Sequence, residues 1–384
     1  MLVINDFFVR YKEAVSNQME SISSKNGGKI ISATRFMGQK ALQTEDIKDN
    51  IYVYSPIRYL FETIKAVNAN KKERIHVFEE EPCKWKRFLF NHTGNPLYVS
   101  MYRRPTVEYV KHIQKYKNLK KIFVELQTHK DFLLSNGIDE SKVVVTPTPS
   151  KIPRQKSTKK YNPKNVNILF ASWNNKEGDA IRERGLEYLL NLLQENKNFT
   201  LTIPLRDNDT ENFEKIAKAL KVWDRVNLLN IHNNTDTLIE LFDNSDFVAF
   251  VPQKRVVKDV PNSLIDGIVR GKPVIVSDVI DFSDVVGKEK IGIVIPKGEK
   301  ASELNLSEKE YSILSENAYK YSEQHSQENY IKIIETAYNE KNNKKKFRQE
   351  IVVNQKDLLD NQTKRREEKK EYENSNNKYL GNIK

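Results

Sequence analysis

The chain has 384 residues, 38% of them hydrophobic, which is enough for two to three domains with cores of their own. Its 13 glycines and 13 prolines exclude a collagen-like or low-complexity class, and the single cysteine, Cys83, excludes an intramolecular disulfide framework and a cysteine-based zinc site. The net charge of +12 predicts an anionic partner, which can be a nucleic acid, an acidic lipid or a phosphorylated small molecule.

The first 150 residues alternate short β-rich runs with helical stretches. Apolar residues such as Tyr59, Ile64 and Val67 recur on one face of a predicted helix. This alternation is typical of βαβ units and predicts a mostly parallel sheet in an N-terminal Rossmann-like domain over residues 1–150. His76, in the fourth β-rich run, is interpreted as a packed or solvated histidine, with contact to an acceptor substrate as the alternative. The predicted strands lie at 2–4, 29–33, 51–54, 75–78, 97–100, 121–124 and 142–145.

A break in the pattern precedes a second series of strands and helices. Residues 151–164 carry six basic residues and no acidic one, which we interpret as a solvated basic linker. The alternation then restarts and predicts a second Rossmann-like domain over residues 165–338. Two such domains facing each other across a cleft both present the carboxyl ends of their strands, where ligands bind. Strands are predicted at 167–171, 200–203, 226–229, 247–251, 273–277 and 291–295, and helices at 186–193, 213–221, 236–243, 262–270 and 328–338.

A change of composition predicts a charged, partly helical C-terminal tail over residues 339–384. From Glu340 onward the chain has 13 basic and 8 acidic residues and few apolar ones. A loosely held, solvated tail is the simpler interpretation, and contact with an anionic membrane or nucleic acid is the alternative. No segment approaches the roughly 18 apolar residues of a membrane-spanning helix, and the N-terminus lacks a signal-peptide pattern. We therefore expect a cytoplasmic protein, with a peripheral position at the inner face of the membrane as a further possibility.

The most informative segment is the turn and helix within residues 257–278. Pro261 suits the start of a helix, and Gly271 followed by Pro273 suits its end. The start of a helix beside a cleft presents backbone N–H groups and the positive end of the helix dipole, which together bind phosphate. The carboxylate of Asp266, one turn further on, suits the diol of a ribose. An ordinary crossover with a surface aspartate is the alternative interpretation of the same pattern.

This segment resembles the donor-binding region of the group 1, family 4 glycosyltransferases, which have the GT-B fold of two facing Rossmann-like domains. The motifs that carry the resemblance are Val260-Pro-Asn-Ser-Leu-Ile-Asp266, Gly271-Lys-Pro-Val274 and Arg184-Gly-Leu-Glu-Tyr-Leu-Leu190. Together with the strands near them, they extend the resemblance over about residues 165–338. It implies a retaining transferase that moves a sugar from a nucleotide-diphosphate donor to a glycan or lipid-linked acceptor in the synthesis of cell-envelope polysaccharides or glycoconjugates.

The resemblance also implies roles for individual residues. Asp266 lies where the family has the carboxylate that binds the nucleotide ribose. Asn262, Ser263 and Leu264 lie where backbone N–H groups meet the distal phosphate. Arg184 lies where a lysine neutralises the diphosphate, and its forked guanidinium keeps that charge. The predicted catalytic residues are Arg184 and Lys258, and the predicted donor-binding residues are Asn262, Ser263, Leu264, Asp266 and Arg184, with no metal and no cofactor besides the nucleotide sugar.

Three positions depart from the family pattern, and the N-terminal Gly-rich loop of the family is absent. Lys258 stands where the family has a glutamate that contacts the donor sugar, Asp266 where it has a second glutamate, and Trp173 where it has an arginine. These departures support an alternative, a catalytically silent GT-B-like binding or partner subunit. A nucleic-acid-binding protein ranks last, because no helix-turn-helix, RNP or zinc pattern is present. The segment Asp207-Asn-Asp209 has the spacing of a metal-binding Asp-x-Asp motif, but such residues are more often found in turns and caps.

Overall fold

Two parallel β-sheets form in the part of the chain that the computed structural model describes, which is residues 1–6, 8, 14–33, 50–78, 82–172, 177–205, 210–230, 235–254 and 258–340. Helices connect the successive strands of each sheet. The strand pairs in both sheets are parallel, as the alternation of strands and helices requires. The predicted fold class, α/β with two Rossmann-like domains, is confirmed.

The N-terminal sheet has seven described strands and is built outward from its first strand. The strands are β1 (Leu2–Asn5), β2 (Lys29–Ala33), β3 (Ile51–Tyr54), β4 (Ile75–Phe78), β5 (Leu97–Met101), β6 (Leu119–Val124) and β7 (Val143–Val145). The helices are α1 (Ala14–Lys25), α2 (Pro56–Ala69), α3 (Lys84–Thr93), α4 (Val107–Ile113) and α5 (Gln127–Ser135). The strand order is β3-β2-β1-β4-β5-β6-β7, so the direction of winding reverses beside β1. A crevice for a ligand forms at such a reversal, outside the carboxyl ends of the strands.

The C-terminal sheet repeats this plan with six described strands in the order β10-β9-β8-β11-β12-β13. Its strands are β8 (Val166–Leu169), β9 (Phe199–Leu205), β10 (Val226–Asn230), β11 (Phe247–Phe250), β12 (Val274–Ser277) and β13 (Gly292–Ile295). Its helices are α6 (Glu177–Arg182), α7 (Leu186–Glu195), α8 (Glu211–Ala219), α9 (Thr235–Asn244), α10 (Asn262–Ile268), α11 (Phe282–Glu289), α12 (Glu308–Tyr321) and α13 (Gln327–Asn339). We call the first sheet with its helices the N-terminal lobe, and β8–β13 with α6–α12 the C-terminal lobe.

Each lobe has a hydrophobic core of its own. Strands β4, β11 and β12 are buried at every position, because helices cover both faces of a parallel sheet. Leu126 and Ile152, which come from the N-terminal lobe and the segment after it, nevertheless pack into the core of the C-terminal lobe. The two lobes are therefore in direct apolar contact, and Met1–Ile334 form one compact unit.

The basic linker is attached to the C-terminal lobe through its backbone. The N–H groups of Gln155 and Ser157 donate to the carbonyls of Val269 and Arg270, at 3.1 and 3.0 Å, just beyond the end of α10. These bonds satisfy carbonyl groups that a helix end leaves without an intrahelical partner. Most linker side chains are exposed, as predicted, but the segment is bound to α10 and is not a freely solvated connection.

The remaining predictions on organisation are not decided by the described residues. The domain boundaries at 150, 164 and 338 stay predictions. The predicted tail, residues 339–384, lies outside the described residues except for Asn339 and Glu340. None of the helices in the described ranges is long and apolar enough to cross a bilayer.

His76 is a packed core histidine, in agreement with the first of its two interpretations. Its ring stacks on Phe78 and Phe123, with ring centroids 5.0 and 5.4 Å away, and its Nε2 atom lies 2.7 Å from Ser100 Oγ. Complete burial lowers the pKa of His76 to about 3. The folded protein therefore holds this ring neutral over the whole physiological range.

We expect His76 to make the protein sensitive to acid. The unfolded chain takes up a proton at this ring near pH 6.5, whereas the folded chain does so only near pH 3. Its stabilising contribution is therefore present above pH 6.5 and is lost as the pH falls toward 3. Between pH 7 and pH 5 the free energy of unfolding should fall by about 2 kcal/mol through this residue, measured by urea denaturation. The H76N variant should show a weaker dependence of the free energy of unfolding on pH, whereas H92N, at an exposed histidine, should keep the wild-type dependence. The same dependence on pH in H76N as in the wild type would contradict the lowered pKa of His76.

Candidate functional site

Charged side chains from both lobes meet at the carboxyl ends of the two sheets. Glu125 directly follows β6 of the N-terminal lobe, and Lys258 follows β11 of the C-terminal lobe. The Lys258 Nζ atom lies 3.4 Å from Glu125 Oε1. This ion pair locates the cleft between the lobes, in the place where parallel sheets bind ligands.

The start of α10 lies beside this ion pair. Lys258 Nζ donates to Asn262 Oδ1 at 2.5 Å, so two of the predicted residues are in direct contact. Ser263 Oγ and Ser172 Oγ are 2.7 Å apart, which joins α10 to the loop after β8.

The first backbone N–H groups of α10 differ in whether they have an acceptor. The N–H of Leu264 donates to the Pro261 carbonyl at 3.1 Å, and the Leu264 side chain is fully buried. Within the described part of the chain, the N–H groups of Asn262 and Ser263 have no such backbone acceptor, so they fit the predicted phosphate contact better than that of Leu264.

Arg184 lies at the same place, although it is far from α10 in sequence. It is half-buried between α6 and α7, and its Nη1 atom donates to the Ser172 carbonyl at 2.9 Å. Because the hydroxyl of Ser172 meets Ser263, a single residue connects Arg184 to the start of α10. The structure thus brings together Arg184, Lys258, Asn262 and Ser263, four of the six predicted site residues.

Gly185 makes this arrangement possible. It begins α7 with a φ of +89°, a conformation that residues with a side chain rarely adopt. A Cβ atom at this position would lie 2.1 Å from the Val251 carbonyl oxygen, just beyond β11. The glycine therefore allows the segment that carries Arg184 to lie directly against the end of the neighbouring strand.

Asp266 has a different environment from the one that either interpretation of the sequence assumed. Its side chain is only 3% exposed, so a surface aspartate is wrong. Its Oδ1 atom accepts a hydrogen bond from Ser150 Oγ at 2.7 Å, and the N–H of Lys151 also donates to the carboxylate. Burial raises the pKa of Asp266 above its usual value, and the charge of Lys151 and these hydrogen bonds oppose the shift. Asp266 thus binds α10 to the start of the linker, and its contact with a ribose remains a prediction.

A second polar cluster, which the sequence did not reveal, also joins the lobes. His129 Nε2, on α5, lies 3.1 Å from Asp259 Oδ2 and 3.6 Å from Asp281 Oδ2, both in the C-terminal lobe. Oxygen and nitrogen atoms of these three residues lie close enough to surround a metal ion. Arg104, however, forms ion pairs with both aspartates, so a guanidinium already supplies the positive charge there. The cluster is best described as an ion pair network that holds the lobes together.

Several sequence predictions fall on residues outside the described ranges. They are Trp173, at a departure from the family pattern, and the Asp207-Asn-Asp209 segment. Arg182, at the end of α6, and Lys254, beyond the end of β11, are both exposed.

The sequence of the C-terminal lobe matches a known family. Residues 178–325, which contain Arg184, Lys258 and the whole of α10, match the sequence model of the family Glycosyl transferases group 1. This stretch is a glycosyltransferase group 1 domain. This match confirms two predictions made from the sequence, namely membership of the group 1 family and glycosyltransferase as the class of enzyme. The assignment to family 4 stays a prediction. No curated protein matches the chain in sequence.

The whole chain is similar to solved glycosyltransferase structures. HepE from Anabaena, solved with UDP and glucose, is 12% identical, with a TM-score of 0.67 over 88% of this chain and 99% of that one. A glycosyltransferase from Rickettsia africae is 15% identical, with a TM-score of 0.63 over 89% of this chain and 99% of that one. A trehalose-6-phosphate structure from E. coli, bound with UDP-2-fluoro glucose, is 12% identical, with a TM-score of 0.57 over 87% of this chain and 98% of that one. These similarities show that the group 1 domain belongs to a chain with the GT-B fold.

Proposed function

We propose that this group 1 glycosyltransferase transfers a sugar from a nucleotide-diphosphate donor, with retention at the anomeric carbon, to a glycan or lipid-linked acceptor. The observation that carries the proposal is the contact of Arg184 and Ser263 with the same residue, Ser172, at the start of α10. Similar structures hold UDP, UDP-glucose or a fluorinated UDP-glucose, which supports a nucleotide sugar as the donor.

In the proposed reaction the chain stabilises the diphosphate that leaves the sugar. The anomeric C–O bond breaks, the acceptor hydroxyl forms the new bond to the same carbon, and its proton goes to the departing phosphate. Arg184, the N–H groups of Asn262 and Ser263, and the ammonium of Lys258 then face the negative charge that develops. Groups that are already oriented toward developing charge lower the barrier more than solvent does. No cofactor besides the donor enters this scheme.

The proposal also includes roles for Asp266 and for the acceptor. A ribose can reach the Asp266 carboxylate only by sharing it with Ser150 and Lys151, since both already donate to it. The net charge of +12 favours an anionic acceptor or its attachment to an anionic membrane, as in the synthesis of envelope glycans. A contact with nucleic acid has no further support.

The second candidate function is a catalytically silent GT-B-like subunit. The observation that favours it is the Lys258–Glu125 ion pair, which places charge inside the cleft where a donor sugar would lie. Transfer or hydrolysis of a nucleotide sugar distinguishes the two candidates.

We expect a nucleoside diphosphate to stabilise the protein. A ligand at 100 times its dissociation constant contributes about 2.7 kcal/mol, which a thermal melt with UDP, GDP and ADP would detect as a raised Tm. The R184A variant should lose most of this rise, whereas R182A, at an exposed neighbouring position, should keep it. Release of the nucleoside diphosphate from a panel of nucleotide sugars, measured with and without glycan and lipid-linked acceptors, would then identify an enzyme, and binding without release in every combination would identify the silent subunit. The absence of any shift with all three nucleotides would contradict a donor site.

A further inference from the structure

Only one of the two carboxylate oxygens of Glu125 has a polar partner among the described residues. Its side chain is 8% exposed, and its Oε1 atom accepts from Thr148 Oγ1 at 2.7 Å besides lying 3.4 Å from Lys258 Nζ. Its other oxygen, Oε2, is buried and has no hydrogen-bond partner among the described residues. A buried charged oxygen without a partner is costly, so this atom is suited to receive a donor from a ligand.

A second hydrogen-bonding group lies next to Glu125. Thr146 follows β7, and its N–H donates to the Val124 carbonyl at 2.7 Å, which places it beside the end of β6. The Thr146 Oγ1 atom is also buried without a partner in the described part of the chain. A carboxylate oxygen can only accept a hydrogen bond, whereas a hydroxyl can donate or accept. Side by side, these two groups match the donor and acceptor capacity of one ligand hydroxyl.

A small cavity connects the two groups. Glu125 and Thr146 line it together with Ser100, at the carboxyl end of β5, and with Tyr330 of α13. Its volume of about 10 Å³ has room for one group of the size of a water molecule or a hydroxyl. The cavity therefore fits one hydroxyl of a larger molecule that lies in the cleft.

The position of Glu125 indicates which molecule supplies that hydroxyl. Lys258 touches Glu125 on one side and Asn262, the first residue of α10, on the other. The proposed function places the donor diphosphate at the start of α10, and the sugar is bonded directly to that diphosphate. The sugar of the donor is therefore the part of the ligand within reach of Glu125.

We propose that Glu125 and Thr146 bind a hydroxyl group of the transferred sugar, so that the N-terminal lobe takes part in recognising the donor. Glu125 accepts a hydrogen bond from that hydroxyl through Oε2, and Thr146 Oγ1 donates a hydrogen bond to the same hydroxyl oxygen. Lys258 orients the carboxylate through its contact with Oε1. This inference rests on the proposed function, because it needs a nucleotide sugar at α10.

The test compares UDP-glucose with UDP, two molecules that differ only by the sugar. Calorimetric titration of the full chain gives both dissociation constants, and their ratio isolates the contribution of the sugar. In E125Q, which keeps the shape but removes the charge, affinity for UDP-glucose should fall about 10- to 100-fold while affinity for UDP changes less than threefold. T146V, which removes only the hydroxyl, should lower affinity for UDP-glucose three- to tenfold. The control E140Q changes an exposed carboxylate of the same lobe and should alter neither constant.

The possible results separate this inference from the proposed function. If the wild-type protein binds neither UDP nor UDP-glucose, the titration is repeated with GDP, ADP and their glucose conjugates, and the absence of binding by all of them overturns the proposed function and the inference with it. If both ligands bind and E125Q weakens them equally, or weakens neither, the proposed function stands and the role of Glu125 is wrong. Urea denaturation of each variant establishes that a changed ratio does not come from partial unfolding.

Discussion

Replacing Arg184 by alanine is expected to lower kcat/KM for a nucleotide sugar by about 100- to 1000-fold, the range seen when one oriented donor to a developing negative charge is removed. Arg184 is half-buried and donates to the Ser172 carbonyl at 2.9 Å, so it is held in place before a ligand arrives. The loss should therefore appear mainly in kcat, since the interaction strengthens as charge moves onto the leaving diphosphate. Release of the nucleoside diphosphate from its nucleotide sugar provides the measurement.

Two matched variants make this result specific. R184K keeps the charge but not the forked geometry, and we expect a loss of about tenfold, because lysine acts on phosphate as a point charge. R182A removes an exposed arginine at the end of α6, two residues away, and should leave kcat/KM within twofold of the wild type. Equal effects of R184A and R182A would mean that Arg184 has no special relation to the leaving group.

The largest expected loss of stability follows from replacing Gly185 by alanine. The new methyl group would lie 2.1 Å from the Val251 carbonyl oxygen, and a φ of +89° would be retained only at a cost. The left-handed conformation costs about 1–2 kcal/mol for a residue with a side chain, and forcing a methyl group into a packed site costs about 1–3 kcal/mol. We expect G185A to lower the free energy of unfolding by about 2–5 kcal/mol, measured by urea denaturation.

Gly287 provides the control for this substitution. It lies inside α11, and a methyl group there would be 3.9 Å from Val294 Cγ2, which is ordinary contact. Alanine is favoured over glycine in a helix by about 0.5–1 kcal/mol, so G287A should be neutral or slightly stabilising. If G185A and G287A had the same effect, the close approach between α7 and β11 would not exist in solution.

Most of the fold was predictable because its signals are local. Strands buried on both faces, such as 247–251 and 273–277, appear in the sequence as continuous apolar runs. The helix α12 was not predicted, although Ser307 and Glu310 form a capping box at its start that the spacing Ser-x-x-Glu indicates. Its apolar residues are sparse, so a search based on hydrophobic periodicity alone does not find it.

The environment of the candidate site was only partly predictable, because it depends on contacts between distant residues. The helix start, Arg184 and Lys258 were found from short motifs, and the structure brings them together. The partner of Asp266 is Ser150, which is 116 residues away in sequence, and no local pattern indicates that the carboxylate is buried. The same holds for Glu125, whose importance depends on Lys258 in the other lobe and on one oxygen atom without a partner.

The hydrogen bond between Ser150 and Asp266 has a consequence for how the enzyme responds to its two substrates. Ser150 stands where the polypeptide leaves the N-terminal lobe, and Asp266 belongs to the helix proposed to hold the nucleotide. A rotation of one lobe against the other that moves Ser150 would act on that helix through this bond. An acceptor that rotates the lobes would then change the affinity for the nucleotide, and the nucleotide would change the affinity for the acceptor by the same factor. A coupling of this kind between the two substrates would run through the side-chain hydrogen bond of Ser150 and Asp266.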